Sequence, residues 1–141
     1  AREIKEEDLA KCTWNAWVSG TNLHHALMLS RKLLSKEKGG NRQILVVTDG
    51  EPTAHLEGDR SFFAYPPSHR TELETLKEVR RCTQEDIVIN TFMLENNYQL
   101  VNFVERMTRI NSGRAFYSSA ANLGEYLLVD YVTNRRKRVS A

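Results

Sequence analysis

An unbroken apolar run that ends in a polar turn constrains the fold of this chain more than any other feature. The run covers residues 44–47, and Thr48-Asp49-Gly50-Glu51 follows it. A short run rich in β-branched residues is typical of a strand buried on both faces of a parallel sheet. Ligands of open parallel sheets bind at the carboxyl ends of the strands. Asp49 is therefore a candidate ligand residue, although an isolated turn of this kind more often has an aspartate that caps backbone amides.

Segments with helical periodicity alternate with short apolar segments along the rest of the chain. This alternation is typical of an α/β fold in which helices join parallel strands through right-handed crossovers. The 141 residues suffice for one domain with a substantial core. We therefore predict a single domain, residues 1–141, with a Rossmann-like, doubly wound, mainly parallel sheet flanked by helices. The predicted order is helix 23–34, strand 42–49, helix 71–82, strand 87–92, helix 100–110, strand 115–117 and helix 123–131.

Polar residues mark the expected starts of the first two helices. Thr21 or Asn22 is expected to be the N-cap of the first helix, because both side chains can accept a hydrogen bond from a free backbone N–H. Thr71 and Glu74 have the spacing of a capping box, which predicts that the second helix opens at Thr71.

The periodicity also predicts which side chains of these helices are buried. Leu33 and Leu73 fall on the apolar stripes and are expected in the core. His24 and His25 are adjacent in the first turn, so their side chains point about 100° apart and cannot chelate one metal ion. We expect both histidines to be surface or capping residues.

A long connection, residues 50–70, separates the first predicted strand from the second predicted helix. Loops of this length inside a compact domain are usually functional or mobile. The connection begins near Glu51 and carries Phe62, Phe63 and Tyr65. These four residues are candidates for contact with a partner, with the alternative that the aromatic side chains fold back onto the domain.

Composition limits the classes of partner. Twenty basic residues balance 18 acidic ones, so no strong overall field indicates nucleic acid. No apolar run is long enough to cross a bilayer. Cys12 and Cys82 lack the spacing of a metal site. We expect both to be reduced thiols of a cytoplasmic protein. The basic residues 135–138 fit a solvated helix end, and binding of phosphate or anionic lipid is left open.

Two motifs together resemble the von Willebrand factor type A (vWA) domain. They are Gly-Thr-Asn at residues 20–22 and Val-Val-Thr-Asp-Gly-Glu-Pro-Thr at residues 46–53, and the resemblance spans residues 18–133. By this resemblance, Thr21 and Asp49 match two ligands of the metal-ion-dependent adhesion site, where the aspartate often acts through a bound water. Such oxygen ligands suit Mg²⁺, Ca²⁺ or Mn²⁺.

The first loop of that adhesion site, Asp-x-Ser-x-Ser, is absent from this chain. We interpret the chain as lacking the first strands of a vWA domain, with residues 1–18 as a boundary remnant; a naturally degenerate site is the alternative. Either way the metal is expected to bind only weakly here. The strand at residues 43–48 would then have an unpaired edge, through which we expect self-association.

The resemblance implies a non-enzymatic protein-interaction module whose metal accepts a carboxylate from a partner protein. Within the family, the chain resembles bacterial intracellular vWA proteins that are related to chelatase subunits or are paired with AAA+ ATPases. The alternative is a metal-dependent phosphotransfer or hydrolase unit, for which Glu51, His55 and His69 are the nearby candidate bases. A third possibility is a structural subunit of an ATPase-driven complex in which the metal is incidental.

Overall fold

The helices and strands alternate in the order that the sequence predicts, with one additional hairpin. The computed structural model describes residues 20–37 and 39–139. Cys12 and residues 1–18, for which we made predictions, lie outside the described residues. The elements are α1 (Leu23–Leu34), β1 (Gln43–Thr48), β2 (Ala54–Glu57), β3 (Arg60–Phe63), α2 (His69–Gln84), β4 (Val88–Met93), α3 (Tyr98–Ile110), β5 (Ala115–Tyr117) and α4 (Leu123–Val139).

Three parallel strands form the main sheet in the order β1-β4-β5. Thr48 lies opposite Met93, and Met93 lies opposite Tyr117, so the three strands end in one row. Helices connect successive strands of this sheet, as parallel pairing requires. The predicted α/β fold with a mainly parallel sheet is confirmed.

The hydrophobic core lies between the sheet and helices α1, α2 and α3. Strand β4 is its centre, because its residues are buried along almost the whole strand and Phe92 is fully enclosed. Burial of such side chains contributes about 1.5–3 kcal/mol each relative to exposure. The remaining core side chains include Leu27, Ile44, Val46, Leu76, Val79, Ile89, Leu100, Phe103, Val104 and Met107.

Strand β1 is buried on one face only, which corrects the prediction of burial on both faces. Ile44 and Val46 are buried, whereas Leu45 and Val47 are 41% and 43% exposed. Successive residues of a strand point to opposite faces, so this alternation means that one face of β1 is only partly covered. An apolar run alone could not show this, because both faces of β1 carry apolar side chains.

The connection at residues 50–70 is not a loop throughout, which is a second correction. Strands β2 and β3 pair in antiparallel register as a hairpin, with Glu57 opposite Arg60. Gly58 in the turn has φ +61°, a conformation that glycine adopts without steric cost.

Helix α2 begins at His69 rather than at Thr71, so the predicted capping box is wrong. The Ser68 hydroxyl caps the helix by accepting a hydrogen bond from Thr71 N at 3.1 Å. Thr71 is instead buried in the first turn. The predicted burial of Leu33 and Leu73 in the core is also wrong. These residues are 63% and 41% exposed, at the margins of the apolar stripes of their helices.

Two observations on the described residues bear on the composition-based expectations. They include no helix that is both long and apolar enough to cross a membrane. Cys82 is buried with a free thiol, and burial raises the pKa of that thiol to about 11. The thiol is therefore protonated near neutral pH, which makes it a weak nucleophile.

Candidate functional site

Thr21 lies immediately before helix α1, where the cap residue fixes the path of the backbone. The Asn22 side chain accepts a hydrogen bond from His25 N at 2.9 Å, so Asn22 is the N-cap and one of the two predicted alternatives is confirmed. Because the chain then turns into α1 at Leu23, Thr21 is held just outside the first helical turn.

Asp49 lies in a tight turn at the carboxyl end of β1. The Thr48 hydroxyl donates a hydrogen bond to the Gly50 carbonyl at 2.7 Å and accepts one from Gly50 N at 3.3 Å. These two bonds fix the turn without using the Asp49 side chain. Asp49 is exposed, and its carboxylate forms no hydrogen bond or ion pair with another described residue. Among the described residues, none therefore competes with a ligand for this carboxylate.

The Thr21 segment and the segment after Asp49 are joined by three hydrogen bonds. Thr21 N donates to Thr53 Oγ1 at 2.8 Å, and the Thr21 carbonyl accepts from Thr53 N and Ala54 N at 3.0 and 3.1 Å. Thr21 and Thr48 also line one cleft of about 340 Å³ between α1 and β1. The two segments that carry the predicted ligands therefore meet at the end of β1. Direct proximity of the Thr21 hydroxyl and the Asp49 carboxylate stays a prediction.

The residues at this position fit a hard divalent cation in kind but not in number. A threonine hydroxyl and a carboxylate are oxygen donors of the type that Mg²⁺ and Ca²⁺ select. Such ions take about six ligands, and the described residues contain no group of three or more His, Cys, Asp or Glu side chains that could hold a metal ion. Thr21 and Asp49 alone would leave a bound cation largely hydrated.

His55 holds the β2–β3 hairpin against the start of α2. The side chain is fully buried, with Nδ1 2.9 Å from Thr71 Oγ1 and Nε2 3.0 Å from Glu57 Oε1. The Thr71 hydroxyl lies 2.9 Å from the Ser68 hydroxyl, which extends this chain of hydrogen bonds. Both ring nitrogens of His55 are thus satisfied within the fold, which explains why a histidine tolerates this depth.

His24 is buried, and the expectation that it lies on the surface or caps the helix is wrong. Only 6% of the residue is exposed, and its Nδ1 accepts a hydrogen bond from Leu56 N at 3.1 Å. The rings of His24 and His55 approach edge-on, with their centroids 6.3 Å apart. Helix α1 packs on strand β2 through this contact, so His24 helps to fix the hairpin beside the candidate site.

Burial of His24 makes the stability of this contact depend on pH. Burial is the main reason that the pKa of His24 lies below its ordinary value of 6.5. The unfolded chain therefore takes up a proton at a higher pH than the folded chain does. We expect the free energy of unfolding to fall as pH decreases from 6.5 towards the folded pKa, and to be unaffected by His24 above that window. Urea denaturation at pH 7.5 and 5.5 measures this change.

The variant His24→Asn tests the assignment, because an asparagine amide oxygen can still accept from Leu56 N but does not titrate. The decrease in the free energy of unfolding between pH 7.5 and 5.5 should be smaller in this variant than in the original chain. An unchanged decrease would show that the pH dependence arises from other groups.

The three aromatic residues of the connection differ in exposure. Phe62 is 39% exposed and packs beside His55 at a centroid distance of 5.0 Å, and Phe63 is 53% exposed and lies against Gly20. A Cβ atom at Gly20 would come within 2.9 Å of the Phe63 ring, so a larger residue at position 20 would require this exposed ring to shift. Tyr65 is 81% exposed. The aromatic residues thus partly pack next to Thr21, and their contact with a partner stays a prediction.

Two of the three candidate bases of the enzymatic alternative share a cleft, and the third does not line it. Glu51 and His69 line a cleft of about 200 Å³ at the start of α2, whereas His55 is enclosed between the hairpin and α2. His69 Nδ1 lies 3.5 Å from Glu72 Oε2. The described geometry therefore does not place these side chains around one reacting atom.

Sequence patterns did not identify Thr53 or Ser68 as residues that shape this region, and they assigned Thr71 to a helix cap rather than to its contact with His55. Thr53 bonds to Thr21 across 32 positions of the chain, and Thr71 bonds to His55 across 16. The only usable signals were the threonine that ends the Thr-Asp-Gly-Glu-Pro-Thr motif and the serine after Pro66-Pro67 at the start of the helical periodicity.

Comparison with known proteins agrees with this architecture. Residues 1–132 match the family described as "Rv0959-like protein, vWA domain". The chain is 37% identical over 123 residues to uncharacterized proteins of Mycobacterium tuberculosis strain H37Rv and of Mycobacterium bovis, in alignments that cover 84% of this chain. No solved structure gives a significant match.

The chain spans only 18% of the length of these curated relatives. Their activities as whole proteins therefore do not transfer to it directly. The family match over nearly the whole chain, together with the parallel sheet and the two motifs at its carboxyl edge, establishes that this chain belongs to the vWA domain family.

Proposed function

We propose that this chain is a protein-interaction module in which Thr21 and Asp49 contribute oxygen ligands to a divalent cation, preferably Mg²⁺. The observation that carries the proposal is the set of three hydrogen bonds between Thr21 and residues 53 and 54, which joins the two ligand-bearing segments. Membership of the vWA family supports the general role in protein interaction. When bound, the cation would supply a coordination position for a carboxylate of the partner protein.

The proposed module is not an enzyme. Support comes from His55, which does not line the cleft shared by Glu51 and His69 and which uses both ring nitrogens in structural hydrogen bonds. By resemblance to intracellular vWA proteins, we propose a cytoplasmic partner such as an AAA+ ATPase or a chelatase-like assembly. The exposed Asp49 and the exposed Tyr65 lie in one connection, whose ends are joined where Ala64 N donates to the Thr53 carbonyl at 3.0 Å, so a protein partner could contact both.

Titration with Mn²⁺ tests the metal site, because this ion has similar ligand preferences to Mg²⁺ and broadens NMR signals of nearby nuclei. We expect broadening to be concentrated at Thr21 and Asp49 and to be reversed by excess Mg²⁺. The variant Asp49→Ala should lose this localised broadening. The matched control Asp59→Ala, an exposed aspartate in the hairpin turn, should retain it.

Affinity is the second part of this test. Two protein oxygens leave a hard cation mostly hydrated, so we expect Mg²⁺ to bind the 141-residue chain with a Kd well above the micromolar range. Isothermal titration calorimetry measures this directly. A micromolar Kd would contradict the two-ligand site, and broadening by Mn²⁺ that is unchanged in Asp49→Ala would remove Asp49 from it.

A further inference from the structure

A small cleft lies beside the candidate metal site, at the start of helix α2. It has a volume of about 200 Å³ and is lined by Glu51, Pro52, Pro67, Ser68, Glu72 and Phe103, with His69 at the helix start. Drug-sized ligands occupy pockets of about 300–1,000 Å³, so this cleft fits a smaller group such as one long side chain. The two prolines and Phe103 provide apolar surface, and the two glutamates provide charge.

The two carboxylates in the cleft differ in how they are compensated. Glu72 forms an ion pair with Arg106, and its Oε2 lies 3.5 Å from His69 Nδ1. Glu51 is partly buried, and its carboxylate forms no ion pair or hydrogen bond with any residue that the structure describes. The cleft therefore contains one carboxylate whose negative charge lacks a cationic partner among the described residues.

We propose that this cleft binds a lysine or arginine side chain of a protein partner, with Glu51 as the carboxylate that contacts its cationic group. The aliphatic part of such a side chain would lie along Pro52, Pro67 and Phe103, as long basic side chains commonly do on apolar surfaces. The inference rests on the proposed role in protein interaction but not on the metal. Glu51 follows Asp49 by two residues, so one docked partner could reach both positions.

An anionic ligand is the principal alternative, because free N–H groups at a helix start attract anions. Glu51 opposes that alternative, since an anion in the cleft would face a carboxylate that no described cation compensates, whereas Glu72 is paired with Arg106. In addition, the Ser68 hydroxyl already accepts the N–H of Thr71, and the Ser68 carbonyl accepts that of Glu72. The charge of the cleft thus favours a cationic side chain.

NMR titration with the N-acetyl methylamides of arginine, lysine and citrulline tests this inference. Citrulline has almost the shape of arginine but is neutral. We expect the arginine and lysine derivatives to cause saturable shifts at Glu51, Ser68 and Phe103, and the citrulline derivative to cause none. The variant Glu51→Gln should weaken binding of the arginine derivative by about fivefold, as expected for a partly exposed ion pair.

The matched control is Glu105→Gln, which removes an exposed carboxylate from α3 and should leave binding of the arginine derivative unchanged. Signals of Val79 and Cys82 in the core report whether each variant is folded. Equal shifts with citrulline, unchanged affinity in Glu51→Gln, or saturable shifts with inorganic phosphate instead would overturn the proposal. Asp49→Ala should lose Mn²⁺ binding but keep binding of the arginine derivative, so failure of the metal site and failure of this cleft are distinguishable.

Discussion

Replacing Arg31 with methionine is expected to lower the free energy of unfolding by about 3 kcal/mol. Arg31 Nε lies 2.6 Å from Oε1 of Glu78, whose side chain is fully buried, and Arg31 Nη1 lies 2.7 Å from Glu85 Oε1. Methionine keeps much of the apolar stem but leaves the Glu78 charge in the interior with less compensation. Urea denaturation followed by circular dichroism measures the difference.

Arg81 limits the loss of unfolding free energy in Arg31→Met, because it is a second cation next to Glu78. Arg81 Nη1 lies 2.7 Å from Glu78 Oε2 and is unchanged in the variant, but it is 52% exposed and so compensates only part of the buried charge. The double variant Arg31→Met with Glu78→Gln should recover a substantial part of the loss, because it removes the charge itself. Arg109→Met is the matched control: this arginine is 77% exposed and 3.9 Å from Glu105, so we expect a change within about 0.5 kcal/mol. A loss below 1 kcal/mol in Arg31→Met would contradict the role assigned to the buried pair.

This ion pair also bears on the candidate site. Arg31 lies near the end of α1, and Thr21 immediately precedes the start of the same helix. The pair fixes α1 against α2, whereas the His24–Leu56 hydrogen bond fixes the beginning of α1 against the hairpin. Both ends of α1 are therefore tied to elements that surround the predicted ligands, and loss of either contact should loosen the position of Thr21.

The sequence was sufficient to predict the parallel sheet and its helices because those elements depend on local periodicity. Helix α1 has the predicted bounds, and β5 has the predicted bounds as well. The motif after β1 also located the carboxyl edge correctly, since strand ends of a parallel sheet share one side. These features follow from residues that are close together in the chain.

The hairpin and its anchoring could not be predicted in the same way. Strands β2 and β3 have four residues each, and all four residues of β3 are exposed, so no buried stripe marked them. The Glu-Gly-Asp sequence at residues 57–59 was the available turn signal. His24 was assigned to the surface because its partner, Leu56 N, is 32 positions away in the chain. Hydrogen bonds between distant polar residues leave no periodic pattern.

Sequence patterns could not predict the partly uncovered face of β1 either. Together with its unpaired edge, this face bears on whether the chain associates with another copy. Among the described residues, β1 pairs on one side only, with β4. The strand Gln43–Thr48 contains no charged residue, and Leu45 and Val47 are substantially exposed. Natural edge strands are usually short, charged or bulged, which prevents pairing with another chain. Strand β1 has none of these protective features.

We therefore expect the 141-residue chain to self-associate through β1. Light scattering coupled to size-exclusion chromatography should give a mass above the 16.2 kDa of one chain. Val47→Lys places a charge on the exposed face of β1 and should shift the population strongly towards the monomer. The control is Leu128→Lys in α4, where the side chain is 64% exposed and distant in sequence from β1. We expect this control to leave the proportion of monomer unchanged. A stable, monodisperse monomer of the original chain would refute self-association, and an equal effect of Leu128→Lys would place the contact elsewhere than β1.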